Sequence, residues 1–249
     1  MSHMLASFLI IIGPFVGSFI AVLTVRWSRG EGFVLGRSRC EGCGHALGGL
    51  EMVPVLSAVV LRWRCRGCGG RFSKRDTVIE LAALGIAIWA FFALPGDLLV
   101  VGVLLGWGLL VLAIIDFENF ILPDLGILII LVGGITVSFF WYPERLNEIA
   151  IGVFVGAGGM WLVRWLYRQL RGQEGVGFGD VKLMGAIGAW VGWQGLGSVI
   201  LIAAITGLVV HVVVLGKGRQ TSRHNMVPFG SYLVLACWIV WLHGPLVTG

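Results

Sequence analysis

Uninterrupted apolar runs bounded by charged or turn residues recur along most of the chain, at 5–25, 78–95, 98–115, 125–142, 149–167, 181–193, 196–215 and 227–243. A helix rises about 1.5 Å per residue and needs about 20 apolar residues to cross a bilayer, so the pattern predicts about eight transmembrane helices. The runs are continuous rather than alternating every second residue, which argues against a β-barrel. The run 181–193 is too short for an ordinary crossing, and we read it as a tilted span or half-helix beside a polar cavity. The opening Met1-Ser2-His3-Met4 reads as an expression remnant ahead of a native start at Met4. No A-x-A cleavage site follows the first run, which is therefore expected to be retained. The resulting division is a first transmembrane helix at 1–25, a loop at 26–77 and a transmembrane bundle at 78–249.

Composition agrees with this picture. Of 249 residues, 57% are hydrophobic and 12% charged, against about 45–50% and about 25% in a soluble domain. The net charge of +5 could reflect nucleic acid, acidic lipid or membrane topology, and its distribution selects topology. Ten of the 18 Lys and Arg lie between Arg26 and Arg75; Arg164, Arg168, Arg171 and Lys182 flank the loop before the run 181–193; Lys217, Arg219 and Arg223 precede the last run; Arg145 stands apart. With eight spans and both termini outside the cytoplasm, all but Arg145 fall on the cytoplasmic side. Membrane lipid is then the expected surroundings and nucleic acid is not an expected partner. Glycine pairs such as Gly13/Gly17, Gly102/Gly106, Gly152/Gly156 and Gly188/Gly192 fit close helix approach within one bundle.

The 26–77 loop holds two near-copies, Arg39-Cys40-Glu41-Gly42-Cys43-Gly44 and Arg64-Cys65-Arg66-Gly67-Cys68-Gly69. Two thiolates separated by two residues can face one ion, and four suit tetrahedral Zn²⁺ with no open position. The reading is a structural zinc held by Cys40, Cys43, Cys65 and Cys68. Disulfides are the alternative, disfavoured in a reducing compartment, and His45 is an alternative ligand. Cys237, inside an apolar run, reads as a small buried residue.

Carboxylates within or beside spans are costly and therefore functional candidates. Two clusters stand on the expected cytoplasmic side: Asp116 to Asp124, between the third and fourth runs, and Gly177-Phe178-Gly179-Asp180-Val181-Lys182, opening the short sixth. Two neighbouring aspartates can hydrolyse a peptide without a metal, one carboxylate taking a proton from water and one carboxylic acid donating to the substrate. Gly177 and Gly179 would let a substrate backbone pass close to Asp180. The plain alternative makes Asp116 and Asp124 helix-end residues and Asp180 an N-cap. Glu80, just inside the second run, is a further candidate. Neither a Gly-x-Ser-x-Gly elbow nor a His-Glu-x-x-His motif is present in the sequence.

In this order the motifs resemble the prepilin peptidases, or type IV leader peptidases, a family of Gly-x-Gly-Asp intramembrane aspartyl proteases. Gly13-Pro-Phe-Val-Gly-Ser-Phe19 resembles the first span, the double Cys-x-x-Cys loop with Val53-Pro54 the cytoplasmic insert, and Val78-Ile79-Glu80-Leu81 the start of the second span. Asp116 with Pro123-Asp124 resembles the first catalytic motif, Gly177 to Lys182 the second, and Val227-Pro-Phe-Gly230 the start of the last span. The resemblance implies Asp116 and Asp180 as the catalytic pair, supported by Asp124 and Lys182. It implies prepilins or pseudopilins as substrates, cut at the cytoplasmic face of a bacterial inner membrane. It also implies methylation of the new N-terminus from S-adenosylmethionine. Ala21 and Met52 stand where the family commonly has Asn. Two other classes would use the same features differently: a proton-coupled transporter relaying protons through the acids, or an assembly factor docking a partner through its zinc loop.

Overall fold

The computed structural model describes residues 2–30, 43, 54, 67–70, 74–173, 175–216 and 228–246. The described residues form helices α1 (Ser2–Arg29), α2 (Lys74–Ala93), α3 (Leu99–Asn119), α4 (Asp124–Trp141), α5 (Leu146–Arg171), α6 (Phe178–Gly216) and α7 (Phe229–His243), with a 3₁₀ turn at Pro143–Arg145. Six of them, α1 to α6, are long and apolar enough to cross a membrane, and α7 is a shorter apolar helix. The chain is an all-α, polytopic membrane protein. The six long helices are fewer than the eight spans expected, for two reasons. The runs 181–193 and 196–215 form two helical arms that meet at a kink at Gly192 within α6 and so count as one long helix, and α7 has only 15 residues.

The chain divides into two compact units, Met1–Trp107 and Gly108–Gly249. In the first, α1 packs on α2 through small residues. A Cβ at Gly17 would stand 2.5 Å from Glu80 Cα and 3.0 Å from the Ile79 carbonyl oxygen, so only glycine permits this approach. Thr24 is fully buried, and its hydroxyl accepts a 2.6 Å hydrogen bond from Arg75, whose guanidinium also donates to the Ala21 carbonyl at 3.2 Å. A cation from α2 thus reaches the α1 backbone at Ala21, about two turns before that helix ends. Gly30, at φ +66°, ends α1. The Trp107 indole donates to the Ala83 carbonyl at 2.9 Å and ties α3 to α2.

In the second unit, α6 packs against α4, α5 and α7. Nearly every side chain from Val181 to Ala189 is buried, as are most along α7, which is what a helix apolar all round requires. The short run therefore occupies the core of this unit. The seam with α5 is made of glycines: a Cβ at Gly152 would lie 2.6 Å from the Gly188 carbonyl oxygen, and one at Gly188 would strike the Gly152 backbone. A Cβ at Gly156 would strike the Met184 carbonyl and lie 3.4 Å from Leu196 Cδ2. A straight helix would separate positions 184 and 196 by about 18 Å, so α6 bends sharply between them. The bend is at Gly192, with φ 65° and ψ 179°, a conformation open to glycine. Away from the start of α6, Trp190 donates to the Ile130 carbonyl at 2.8 Å and meets Trp241 edge-on, and Trp241 stacks on Trp238. Cys237 is fully buried, as expected of a small core residue.

The glycine seam makes a stability prediction. Gly188→Ala should lower the unfolding free energy by about 1–3 kcal/mol through overpacking. Gly159→Ala, whose Cβ would meet nothing within 4 Å, should raise it by about 0.5–1 kcal/mol through helix propensity. Thermal unfolding of the two variants in detergent would check this, and equal effects would contradict the packing.

Candidate functional site

Both candidate aspartates are almost wholly buried, Asp116 at 5% exposure and Asp180 at 8%, and both belong to the second unit. Asp116 lies in the last turn of α3 and points its Oδ2 at the start of α7. There the Ser231 backbone N–H donates to Oδ2 at 2.7 Å, and the Ser231 hydroxyl lies 2.9 Å from the same atom. Ser231 is the third residue of α7, so its N–H is one of the four that a helix leaves without an internal partner. Asp180 is the third residue of α6, and its carboxylate accepts the N–H of Gly177, the residue preceding the helix. This is the backward-reaching half of a capping box, not an N-cap. Each buried acid therefore uses a donor supplied by a helix N-terminus.

Leu122 joins the two turns. A Cβ at Gly179 would stand 3.1 Å from Leu122 Cβ, and one at Gly230 would stand 2.9 Å from Leu122 Cδ1 and 3.0 Å from Asp116 Oδ2. Gly179 and Gly230 thus admit one apolar side chain between the acid-bearing turns, and the charge of Asp116 acts on Asp180. The space beside Gly179, expected to let a substrate backbone pass close to Asp180, holds Leu122 in this structure. The segment carrying Leu122 leaves α3 through Phe120, which has φ 56°, unusual for an aromatic residue, and whose N–H bonds the Asp116 carbonyl at 2.8 Å.

The predicted supporting residues divide. Lys182 Nζ contacts Asp124 Oδ1 at 2.7 Å and links the first turns of α6 and α4. Asp124 is the first residue of α4, with Pro123 as N-cap and no side-chain cap bond, so its partner is Lys182 and not its own helix. Gly177 supplies the N–H just described. Glu80 is buried on α2 in the first unit, where its backbone lies against Gly17. Sequence reasoning missed Ser231, Leu122, Phe178 and Arg164. The Phe178 ring lies between the Lys182 ammonium at 5.1 Å and the Arg164 guanidinium at 5.7 Å. Arg164 also donates to the Val176 carbonyl at 2.8 Å, tying the segment before Asp180 to α5. The signals available in the sequence were a basic residue one helix away and a serine directly after Val227-Pro-Phe-Gly230.

The zinc expectation is corrected. Among the described residues, no group of three or more His, Cys, Asp or Glu could hold a metal ion. Cys43 and Cys68 are exposed, whereas a closed tetrahedral site encloses its sulfurs around the ion. Cys40, Cys65 and His45 lie outside the described residues. S-adenosylmethionine does not fit the cavity of about 280 Å³ beside the start of α7. That cavity is lined by Ala203, Ala204, Gly207, Leu208, His211 and Phe229, which leaves His211 alone to serve the polar groups of the cofactor.

Two family models match the chain: the type IV leader peptidase family over residues 103–212 and the bacterial peptidase A24 N-terminal domain over residues 11–94. Among curated proteins, the chain is 36% identical to the prepilin leader peptidase/N-methyltransferase of Pseudomonas putida, covering 94% of this chain and 89% of that one. It is 37% identical to the protein of that name from Aeromonas hydrophila, over 85% and 73% of the two chains, and 34% identical to that of Pseudomonas aeruginosa, over 86% and 74%. No solved structure matches. The order of acid-bearing motifs along the chain, the helical membrane fold that carries them and these similarities agree: the chain belongs to the type IV leader peptidase family of prepilin peptidases.

Proposed function

We propose that the protein is an aspartyl endopeptidase of the bacterial inner membrane that removes the leader from type IV prepilins or pseudopilins, with Asp116 and Asp180 as its catalytic pair. The observation that carries the reading is the convergence of both buried carboxyls on one site bridged by Leu122. The Lys and Arg distribution supports a cytoplasmic-interface position for the two aspartates, where a basic leader would meet the hydrophobic helix that follows it.

In the proposed reaction one aspartate is ionised and the other protonated. The ionised carboxylate takes a proton from water as the water oxygen bonds to the scissile carbonyl carbon, and the carboxylic acid donates its proton to the carbonyl oxygen. When the tetrahedral intermediate collapses, the C–N bond breaks and the leaving amine takes a proton back from the pair. Lys182 and Asp124 act at a distance by tying α6 to α4 and so fixing where Asp180 stands. Hydrolysis is the activity assigned to these residues. The N-methyltransferase activity named in the relatives would need a site for S-adenosylmethionine that the cavity beside α7 does not supply.

Asp116→Asn and Asp180→Asn should each reduce leader removal by about 10³-fold or more, read by mass spectrometry of a prepilin incubated with the detergent-purified protein. Undiminished cleavage by either variant overturns the assignment. Lys182→Ala and Asp124→Ala, each removing one end of a partly exposed ion pair, should lower the cleavage rate about two- to fivefold. The double variant should fall no further than either single one, as a double-mutant cycle would show.

A further inference from the structure

We infer that Ser231 is a positioning residue for Asp116, holding Oδ2 through both protonation states so that Oδ1 is the oxygen presented to substrate and water. The inference rests on the peptidase reading above and deepens it.

Ser231 meets Asp116 Oδ2 twice, through its backbone N–H at 2.7 Å and its hydroxyl at 2.9 Å. Two contacts to one carboxyl oxygen fix the rotation of the group and leave the other oxygen outside the grip. The hydroxyl has a second neighbour, the Ala113 carbonyl oxygen, also at 2.9 Å. A hydroxyl carries one hydrogen and two acceptor sites, so it serves one of these oxygens at a time as donor.

With Asp116 ionised, the hydroxyl hydrogen turns to Oδ2, which then receives two donors. With a proton taken up on Oδ1, Oδ2 becomes the carbonyl oxygen of the acid and keeps the Ser231 N–H, while the hydroxyl hydrogen turns to the Ala113 carbonyl. The exchange needs rotation of one hydrogen and no movement of heavy atoms, so neither state leaves a buried polar group without a partner. Among the described residues, Asp180 on α6 and Tyr232 on α7 feel the charge of Asp116. Ser231 Oγ is the hydroxyl that touches it. A general acid or base that must change protonation state twice per turnover needs such a neighbour, and alanine at this position would retain only the backbone donor.

The test is steady-state cleavage of a prepilin substrate by the full-length protein in detergent, comparing Ser231→Ala, Ser231→Thr, Ser231→Cys and Asp116→Asn, with thermal midpoints for each. Ser231→Ala should lower kcat about tenfold, the effect of one hydrogen bond to a charged group, and leave KM within about twofold. Ser231→Thr, which keeps the hydroxyl, should recover kcat to within about threefold of the parent. Ser231→Cys keeps the volume with a weak donor and should resemble Ser231→Ala in kcat, which retains the test if the alanine variant does not fold. A parental kcat in Ser231→Ala or Ser231→Cys, beside an inactive Asp116→Asn, overturns the positioning role and leaves the peptidase reading standing. Failure of Ser231→Thr to recover kcat at a parental thermal midpoint also overturns it. Cleavage by Asp116→Asn overturns the peptidase reading itself.

Discussion

A carboxyl group carried into an apolar helical bundle has to find its hydrogen-bond donors inside the protein, because neither lipid nor aliphatic side chains supply any. In this protein both buried aspartates find them at the same kind of place. Asp180 takes the N–H of Gly177 at the start of its own helix, and Asp116 takes the N–H of Ser231 at the start of α7. A helix N-terminus has unpartnered N–H groups and the positive end of the helix dipole. The interactions that satisfy the acids therefore also cap α6 and α7. Neither need is met separately, so a change that moves either helix start moves an acid with it.

That arrangement depends on where the helices begin, and glycine seams set how they pack. Gly152, Gly156 and Gly188 let α5 and α6 approach until backbone meets backbone. The apolar attraction between helices is weak in lipid, so close packing of this kind carries much of the association. The bend at Gly192 then allows one element to place residues 184 and 196 against the same point of α5. With α6 held, its first turn falls beside Leu122. The Lys182–Asp124 pair ties that turn to α4, and Arg164 ties the preceding segment to α5.

Family membership brings a consistent frame to this geometry. The two family models cover the α1–α2 region and the stretch from α3 to α6, and the second of these stretches holds both aspartates and their glycines. The start of α7, which supplies Ser231 and Gly230 to the site, lies beyond the matched residues, and its contribution becomes visible through packing. The cysteine loop shows the opposite relation between pattern and geometry. Two Cys-x-x-Cys pairs state how many thiolates are available and how close each pair stands, yet a metal centre also requires the pairs to converge and enclose the ion. The exposed Cys43 and Cys68 do not show that enclosure.

The sequence by itself determined the membrane class, the helical character and the candidate acids, because these are properties of composition and local order. Apolar runs of spanning length state their solvent, and Asp116 and Asp180 stand out because ionisable residues are expensive there. It also determined the close-packing glycines at Gly17, Gly152 and Gly156, whose spacing follows the helical period. Only the tertiary structure decided that the runs 181–193 and 196–215 join in α6 across Gly192, since a continuous helix and a bent one have the same hydropathy. Only it showed that Asp180 is a third-position cap, that Asp124 serves Lys182, and that Ser231 grips Asp116 from 115 residues away in the chain. Such contacts leave little trace in local pattern, because a donor for a buried carboxyl can come from any helix start that packing brings within about 3 Å.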